Sequence, residues 1–232
     1  MKLYTGTSGF AYKEWKGAFY PEDLKSDDML RYYAGRLSAV EINNTFYRMP
    51  KESVLEQWAS QVPASFRFVL KASRQITHIK RLKEVDEAVN FLFSKAVTLG
   101  PRLGPVLFQL PPNLKKDLPR LEAFLAAVPE EHRVAVDFRN ESWFDDDVFD
   151  ALRAGGAALC IEEGDELAAP RVATAPWGYL RLRKVQYDDA AVAAWIEWVK
   201  AQAWEEAFVF FKHEDAATGP RLARAFAEQF GG

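Results

Sequence analysis

The sequence predicts an α/β fold, a closed (β/α)8 TIM-type barrel, and three observations lead there. About eight short β-branched or aromatic runs alternate with longer stretches whose apolar residues recur near the helical period. Strand–helix alternation repeated this often builds a parallel sheet covered by helices. Eight such units in 232 residues fit a slightly small, irregular barrel with one helix short or missing. Lastly, the polar residues of the strand runs share one parity and gather near one end. An open doubly wound sheet is the alternative, and neither a GxGxxG nor a GxxxxGK[ST] loop supports it.

In chain order the expected strands cover residues 2–7, 39–43, 66–73, 105–110, 134–139, 157–162, 178–183 and 207–212. Between and after them, helical periodicity marks residues 28–35, 53–60, 85–99, 118–127, 146–154, 190–202 and 219–230. Ser53 with Glu56 three residues on reads as a capping box opening the second helix. Gly155 and Gly156 close the helix before the sixth strand. The interval 164–177 contains Pro170 and Pro176 and reads as loop, so the helix after the sixth strand is the short or missing one. The sequence has no linker, repeat or low-complexity segment, and a single domain over 1–232 is expected.

Composition narrows the function. The chain is 49% hydrophobic and 27% charged, an ordinary globular mixture. Its one cysteine, Cys160, allows neither an intrachain disulfide nor a multi-cysteine zinc site. A net charge of −3 argues against a dedicated nucleic-acid binder, which usually carries a basic excess. The start, MKLYTGTSGF, lacks the apolar core of a signal peptide, and no apolar run approaches the roughly 20 residues of a membrane span. A cytoplasmic protein without membrane partners is the expectation; the oligomeric state is left open.

Strand parity carries the functional reading. In a parallel barrel one side chain of each pair meets the helices and is apolar, while the other points into the barrel and, at the C-terminal strand end, into the mouth. Val40 and Ile42 outward put Glu41 and Asn43 inside. Phe66, Phe68 and Leu70 outward turn Arg67, Lys71 and Ser73 inward. The same logic places Gln109, then Asp137 and Arg139, then Cys160 and Glu162, then Arg181 and Arg183 inside. The eighth run, FVFFKHE, is apolar on both parities and fixes only that Lys212, His213 or Glu214 lies near its exit. Burying so many ionisable groups is unfavourable unless they pair or meet a ligand. The predicted mouth ring is Glu41, Asn43, Lys71, Gln109, Asp137, Arg139, Glu162 and Arg181.

Several stretches resemble the signature blocks of a known family, the YecE-like proteins, catalogued as domain of unknown function seventy-two. They are GTSGFAYKEWKGAFYP, VEINNTFYRMP, FRFVLKASRQITHIKRL, LGPVLFQLPP and DFRNESW. The resemblance spans nearly the whole chain. It falls on Thr7, Ser8, Gly9, Tyr12, Trp15 and Gly17, then on Glu41, Asn43, Thr45, Phe46 and Tyr47. It continues on Lys71, Ser73, Thr77, His78 and Arg81, and on Gln109, Arg139 and Trp143. It implies a TIM-type barrel and brings no established activity. Many members resemble Arg-Leu-His-Gly after the seventh strand, where this chain reads Arg181-Leu182-Arg183-Lys184. Many also show paired asparagines where it has Lys212-His213-Glu214-Asp215.

Three constellations suggest chemistry. Glu41 and Asp137 are candidate acid and base, as in glycosidases, although each could equally neutralise Lys71 or Arg139. Lys71, near Arg139 and Arg181, is a candidate base or Schiff-base nucleophile, opposed by Glu41. The cations Lys71, Arg74, Lys80, Arg81, Arg139, Arg181, Arg183 and Arg48 suit phosphate or carboxylate. With Trp15, Phe46, Tyr47, Trp143 and Trp177 expected around the same mouth, the ligand would carry a ring. The three histidines form no HxH or HExxH pair, so no metal and no cofactor are expected, a carboxylate-held Mg²⁺ being the one conceivable exception.

The resulting expectation is an enzyme without a metal, acting on a small anionic, ring-containing substrate such as a sugar phosphate or nucleotide-like molecule. Glu41, Asp137 and Lys71 are the catalytic candidates. Asn43, Tyr47, Ser73, His78, Arg81, Gln109, Arg139, Trp143 and Arg181 are the substrate-binding ones. The alternative is a single-stranded nucleic-acid binder or nuclease-like protein using the same basic and aromatic mouth.

Overall fold

Eight parallel strands follow one another around a closed barrel in chain order, with the last pairing to the first. The structure is a computed structural model and describes residues 1–164, 167–184, 186–212 and 217–231. The strands are β1 (Lys2–Ser8), β2 (Ala39–Ile42), β3 (Arg67–Lys71), β4 (Leu103–Gln109), β5 (Val134–Asp137), β6 (Ala158–Glu163), β7 (Trp177–Leu182) and β8 (Glu206–Phe211). The helices are α1 (Met29–Ala34), α2 (Glu52–Gln61), α3 (Asp86–Ala96), α4 (Leu118–Ala126), α5 (Asp146–Ala154), α6 (Asp189–Lys200) and α7 (Thr218–Gly231). The open-sheet alternative is thereby set aside.

Among the described residues no α-helix joins β6 to β7, as the two prolines of that interval suggest. A short antiparallel bridge between Glu163 and Ala168 turns the chain instead. Thr174 then pins the returning segment, its hydroxyl receiving the Leu159 amide at 2.7 Å and donating to the Ala157 carbonyl at 2.8 Å. Ser53 is not the cap of α2. The helix begins one residue earlier, with Lys51 at the cap position in extended backbone and no side-chain cap bond. Pro50 holds the preceding chain extended, and Glu52 supplies the carboxylate that favours a helix start.

The parity argument describes the core well. Val40, Ile42, Phe66, Phe68, Leu70, Val106, Phe108, Val136, Leu159, Ile161, Leu180 and Leu182 pack outward against the helices. A smaller cluster fills the barrel: Tyr4, Ala39, Val69, Leu107, Ala135, Ala158, Cys160, Trp177, Tyr179, Phe208 and Phe210. That list also resolves the eighth strand, whose Phe208 and Phe210 point inward while Val209 and Phe211 point out. The lower barrel is closed by Tyr4 stacked on Phe208 at 4.7 Å, with Trp177 edge-on to Phe208. Strand β1 approaches β2 closely at Gly6, where an added Cβ would stand 1.9 Å from the Ala39 carbonyl oxygen. Only glycine permits that approach, which keeps Ser8 level with Glu41 two residues later.

Candidate active site at the barrel mouth

Above the apolar plug the lumen turns charged, and its charges fall into two tiers. The lower tier is centred on Arg181, 2% exposed, at the end of β7. Its guanidinium donates to Glu41 at 2.9 Å and to Asp137 at 2.9 Å, with Glu162 at 3.4 Å and Gln109 Oε1 at 3.3 Å. Strand register brings these together, since Glu162 lies level with Arg181 and Gln109 with Asp137. Ser8 donates to Glu41 at 2.8 Å and Tyr179 at 2.6 Å, which completes the shell of that carboxylate. Arg139 donates to Asp137 at 2.8 Å and grips both oxygens of Glu162.

Burial pushes the Glu41 carboxyl up, but Arg181, then the Tyr179 and Ser8 hydrogen bonds, outweigh it and hold the group below the usual carboxylate range. Glu162 goes the other way: burial, then the neighbouring Asp137 charge, raise it to about 7. The tier explains the difference, because two guanidiniums, Arg139 and Arg181, face three carboxylates.

The upper tier borders a cavity of about 330 Å³ lined by Ser8, Tyr12, Asn43, Lys71, Gln109, Arg139, Arg181, Arg183 and Lys212. Lys71 Nζ donates to Gln109 Oε1 at 2.9 Å and lies 4.7 Å from the centre of the Phe46 ring. Burial, then repulsion from Arg181, lower it to about 8. Burial, then Arg181, also lower Arg183. Among the described residues, Lys71, Arg183 and Lys212 have no carboxylate partner; His213 and Glu214, expected near Lys212, lie outside those residues. Asn43 Oδ1 is buried without a hydrogen-bond partner, as are Asp137 Oδ1 and the Nε atoms of Arg139 and Arg181.

The mouth therefore gathers Asn43, Lys71, Gln109, Arg139 and Arg181 of the expected residues. Glu41 and Asp137 face the lumen as parity requires, but both are 0% exposed beneath Arg181 and neither borders the cavity. Each is enclosed by its ion-pair and hydrogen-bond partners below the cavity. Trp143 does not border the cavity either. It is fully buried, stacked on Phe138 at 4.8 Å, and its indole N–H donates to the Leu114 carbonyl.

Tyr47 and Ser73 belong to a different, largely apolar groove of about 390 Å³, shared with Arg48, Met49, Ile76 and Phe91. Ser73 leaves the inward parity because β3 ends at Lys71, and its hydroxyl receives the Gln75 amide at 3.1 Å. His78 sits edge-on to Phe46 at 4.9 Å beside Thr77, and burial, then Lys71 and Arg81, depress its basicity. His78 and Arg81 do not border the cavity. Trp15 is buried among the outer aromatics, and Trp177 plugs the lower barrel, so among the described residues Tyr12 is the one aromatic lining the cavity, with the Phe46 ring packed against Lys71.

Sequence reasoning did not assign Ser8, Tyr12 or Tyr179 to the site, named Arg183 among the anion-binding cations but not in the mouth ring, and placed Lys212 only near the exit of the eighth strand. Parity would have found Ser8 with Tyr4, and Tyr179 with Arg181. Lys212 was hidden because both faces of β8 are apolar, and Tyr12 comes from a loop, where no periodicity guides the eye.

Fold and site together define a class: a parallel (β/α)8 barrel with an ion-paired floor and a cation-lined C-terminal mouth. Residues 4–232 match the family described as "Protein of unknown function DUF72", and the chain belongs to that family. It is 34% identical over 116 residues to the UPF0759 protein YecE of Escherichia coli (strain K12), covering 50% of this chain and 43% of that protein. It is 27% identical over 150 residues to the UPF0759 protein YunF of Bacillus subtilis (strain 168), covering 61% and 52%. The matched segments thus span about half the length of these curated relatives. The crystal structure of a DUF72 family protein from Thermotoga maritima MSB8 is similar with a TM-score of 0.84 and 26% identity, over 100% of this chain and 98% of that one. One from Enterococcus faecalis V583, at 18% identity and TM-score 0.77 over 98% of both chains, shares the fold. Among the described residues no helix is long and apolar enough to cross a membrane.

Proposed function

We propose that the mouth binds a small molecule carrying a phosphate or carboxylate, and that the protein acts on it as an enzyme through Lys71. The observation that carries this reading is that Lys71, Arg183 and Lys212 border one cavity without a carboxylate partner among the described residues. Arg139 and Arg181 have their charge taken up by Glu41, Asp137 and Glu162, so the three others are what an incoming anion meets. A cavity of about 330 Å³ lies at the small end of ligand sites, which suits a compact metabolite. The sparse aromatic lining gives a ring in the ligand little to stack on.

Thermal unfolding with inorganic phosphate and with pyruvate, against sodium chloride of matched ionic strength, tests the reading. A ligand at about 100 times its Kd stabilises by about 2.7 kcal/mol, which raises Tm by roughly 5–10 °C in a chain of this size. Lys71→Met and Arg183→Met should reduce that rise severalfold. No rise beyond the chloride control, or an undiminished rise in both variants, would remove the reading. Tight binding of a labelled single-stranded oligonucleotide, weakening steeply with salt while phosphate gives no rise, would instead favour a nucleic-acid ligand.

A further inference from the structure

Lys71 occupies a setting that an anion anchor does not need. Its ammonium carbon chain runs up the end of β3, where Thr45 fixes the backbone by donating to the Lys71 carbonyl at 2.7 Å and sharing its hydroxyl with the Ile42 carbonyl at 2.9 Å. One side of Nζ meets the Phe46 ring at 4.7 Å, and the other donates to the Gln109 amide oxygen at 2.9 Å. The carboxylates that could secure its charge, Glu41 and Asp137, are turned to Arg181 and Arg139. A lysine that only held an anion would gain from a full, carboxylate-free charge in water, and a guanidinium fork would do that better. Here the group is partly buried beside Arg181 and Arg183, and burial first, then Arg181, weakens the ammonium and favours the free amine in spite of the Phe46 ring.

We propose that Lys71 is an imine-forming nucleophile for a small aldehyde or ketone that bears a carboxylate or phosphate. The proposal rests on the anion-binding reading of the mouth and names its substrate class. Arg183 and Lys212, just beyond β7 and β8, take the anionic group at the same cavity as Lys71. The Lys71 lone pair attacks the carbonyl carbon; the C–N bond forms and the C=O π pair passes to oxygen, which takes the amine proton to give a carbinolamine. Asn43 borders the same cavity, and its side-chain amide is the neutral polar group that would meet that hydroxyl. A solvent proton then protonates the hydroxyl; the C–O bond breaks with water as the leaving group while the nitrogen lone pair forms the C=N bond, leaving the protonated imine. With its amine at about 8, Lys71 presents the neutral form in roughly one molecule in ten near pH 7, far above an ordinary lysine.

The experiment is reductive trapping on the wild-type chain. Glyoxylate, glyceraldehyde 3-phosphate and the uncharged acetaldehyde are each added with sodium cyanoborohydride, which delivers hydride to the imine carbon and fixes a secondary amine. Intact mass and peptide mapping then read the adduct. With glyoxylate the expected product is one carboxymethyl group on Lys71, labelled at least tenfold faster than any other lysine and tenfold faster than by acetaldehyde. Comparison of glyoxylate with glyceraldehyde 3-phosphate tells whether carboxylate or phosphate is preferred. Lys71→Arg should abolish the fast label, Arg183→Gln should slow it severalfold, and excess inorganic phosphate should protect. Labelling spread evenly over surface lysines, or equal labelling by acetaldehyde, overturns the proposal. If phosphate raises Tm but no fast adduct forms on Lys71, the imine falls and the anion site stands; if phosphate also leaves Tm unmoved, both fall.

Discussion

Arg181→Met isolates the lower tier of the mouth. Methionine matches the unbranched stem and fills most of its volume, so the change is chiefly the loss of a charge 2% exposed. Breaking a buried pair by removing one partner usually costs about 3–5 kcal/mol. Arg181 has two close partners, Glu41 and Asp137, but the losses do not simply double. Asp137 keeps Arg139, and Glu41 keeps the hydroxyls of Ser8 and Tyr179. A loss of about 4 kcal/mol near pH 8 follows, against a total stability of about 5–15 kcal/mol for a protein of this kind. At roughly 2–4 °C per kcal/mol, Tm should fall by about 8–16 °C.

The sign of the pH dependence makes the reasoning refutable. In the wild type Glu41 is held low, so its contribution is present above its unfolded pKa and is lost as pH falls through the folded one. In the variant, burial acts without the guanidinium, and the folded pKa rises above the unfolded value. A carboxyl raised in this way costs most above its folded pKa and least below the unfolded one. The deficit of Arg181→Met should therefore shrink from pH 8 to pH 5. Urea unfolding followed by tryptophan fluorescence at both pH values measures it, and Arg181→Met/Glu41→Gln should recover part of the loss at pH 8. A deficit under about 1 kcal/mol, in the range of exposed ion pairs, would show that the lumen is wet and the tier unimportant to folding. A deficit unchanged at pH 5 would show that charge is not the cause.

Glu162 titrates with the opposite sign, since burial, then Asp137, raise it to about 7. Its contribution is lost as pH rises from about 4.5 to about 7, so the stability of Glu162→Gln relative to wild type should climb by up to about 3 kcal/mol between pH 5 and pH 8. Parallel urea midpoints for the two proteins over that range would contradict this. Trp143→Phe tests whether that residue belongs to the rim packing: it should lose about 2 kcal/mol, from the missing bond to Leu114 and the smaller ring, while the phosphate-induced rise in Tm stays as in wild type. A weakened phosphate response with an unchanged urea midpoint would return Trp143 to the binding site.

What the sequence made legible follows from what parity can see. Period-two alternation is enforced wherever one strand face meets helices, so Val40 and Ile42 locate Glu41, and Val134 and Val136 locate Asp137. Parity gives direction but not depth. Glu41 and Asp137 point inward like Lys71, yet they lie beneath Arg181, and depth is decided by the barrel's shear and by side-chain length. It also ends with the strand, which is why Ser73, one step past β3, turns to a helix start instead of the lumen. Loop aromatics were the least legible. Trp15, Trp143 and Trp177 have enough surface to be drawn into cores first, and only the structure tells a packing ring from a binding one.

The two tiers have different reasons to exist. A buried ionic cluster is weak ground for stability, because apolar residues of similar volume often hold a core at least as well. The lower half of this barrel shows as much, closed by Tyr4, Trp177 and Phe208. If stability were the only demand, the upper half could be filled the same way. Instead Glu41, Asp137 and Glu162 absorb the charge of Arg139 and Arg181 and hold both guanidiniums in register under the cavity. Among the described residues that leaves three carboxylates against five cations around one site, and the excess rests on Lys71, Arg183 and Lys212 at the rim. A floor that neutralises its own guanidiniums, beneath a rim that does not, concentrates positive potential where a small anion enters and little lower down. Within a Debye length of about 8 Å at physiological salt, that separation is short enough for the bound anion to feel both tiers.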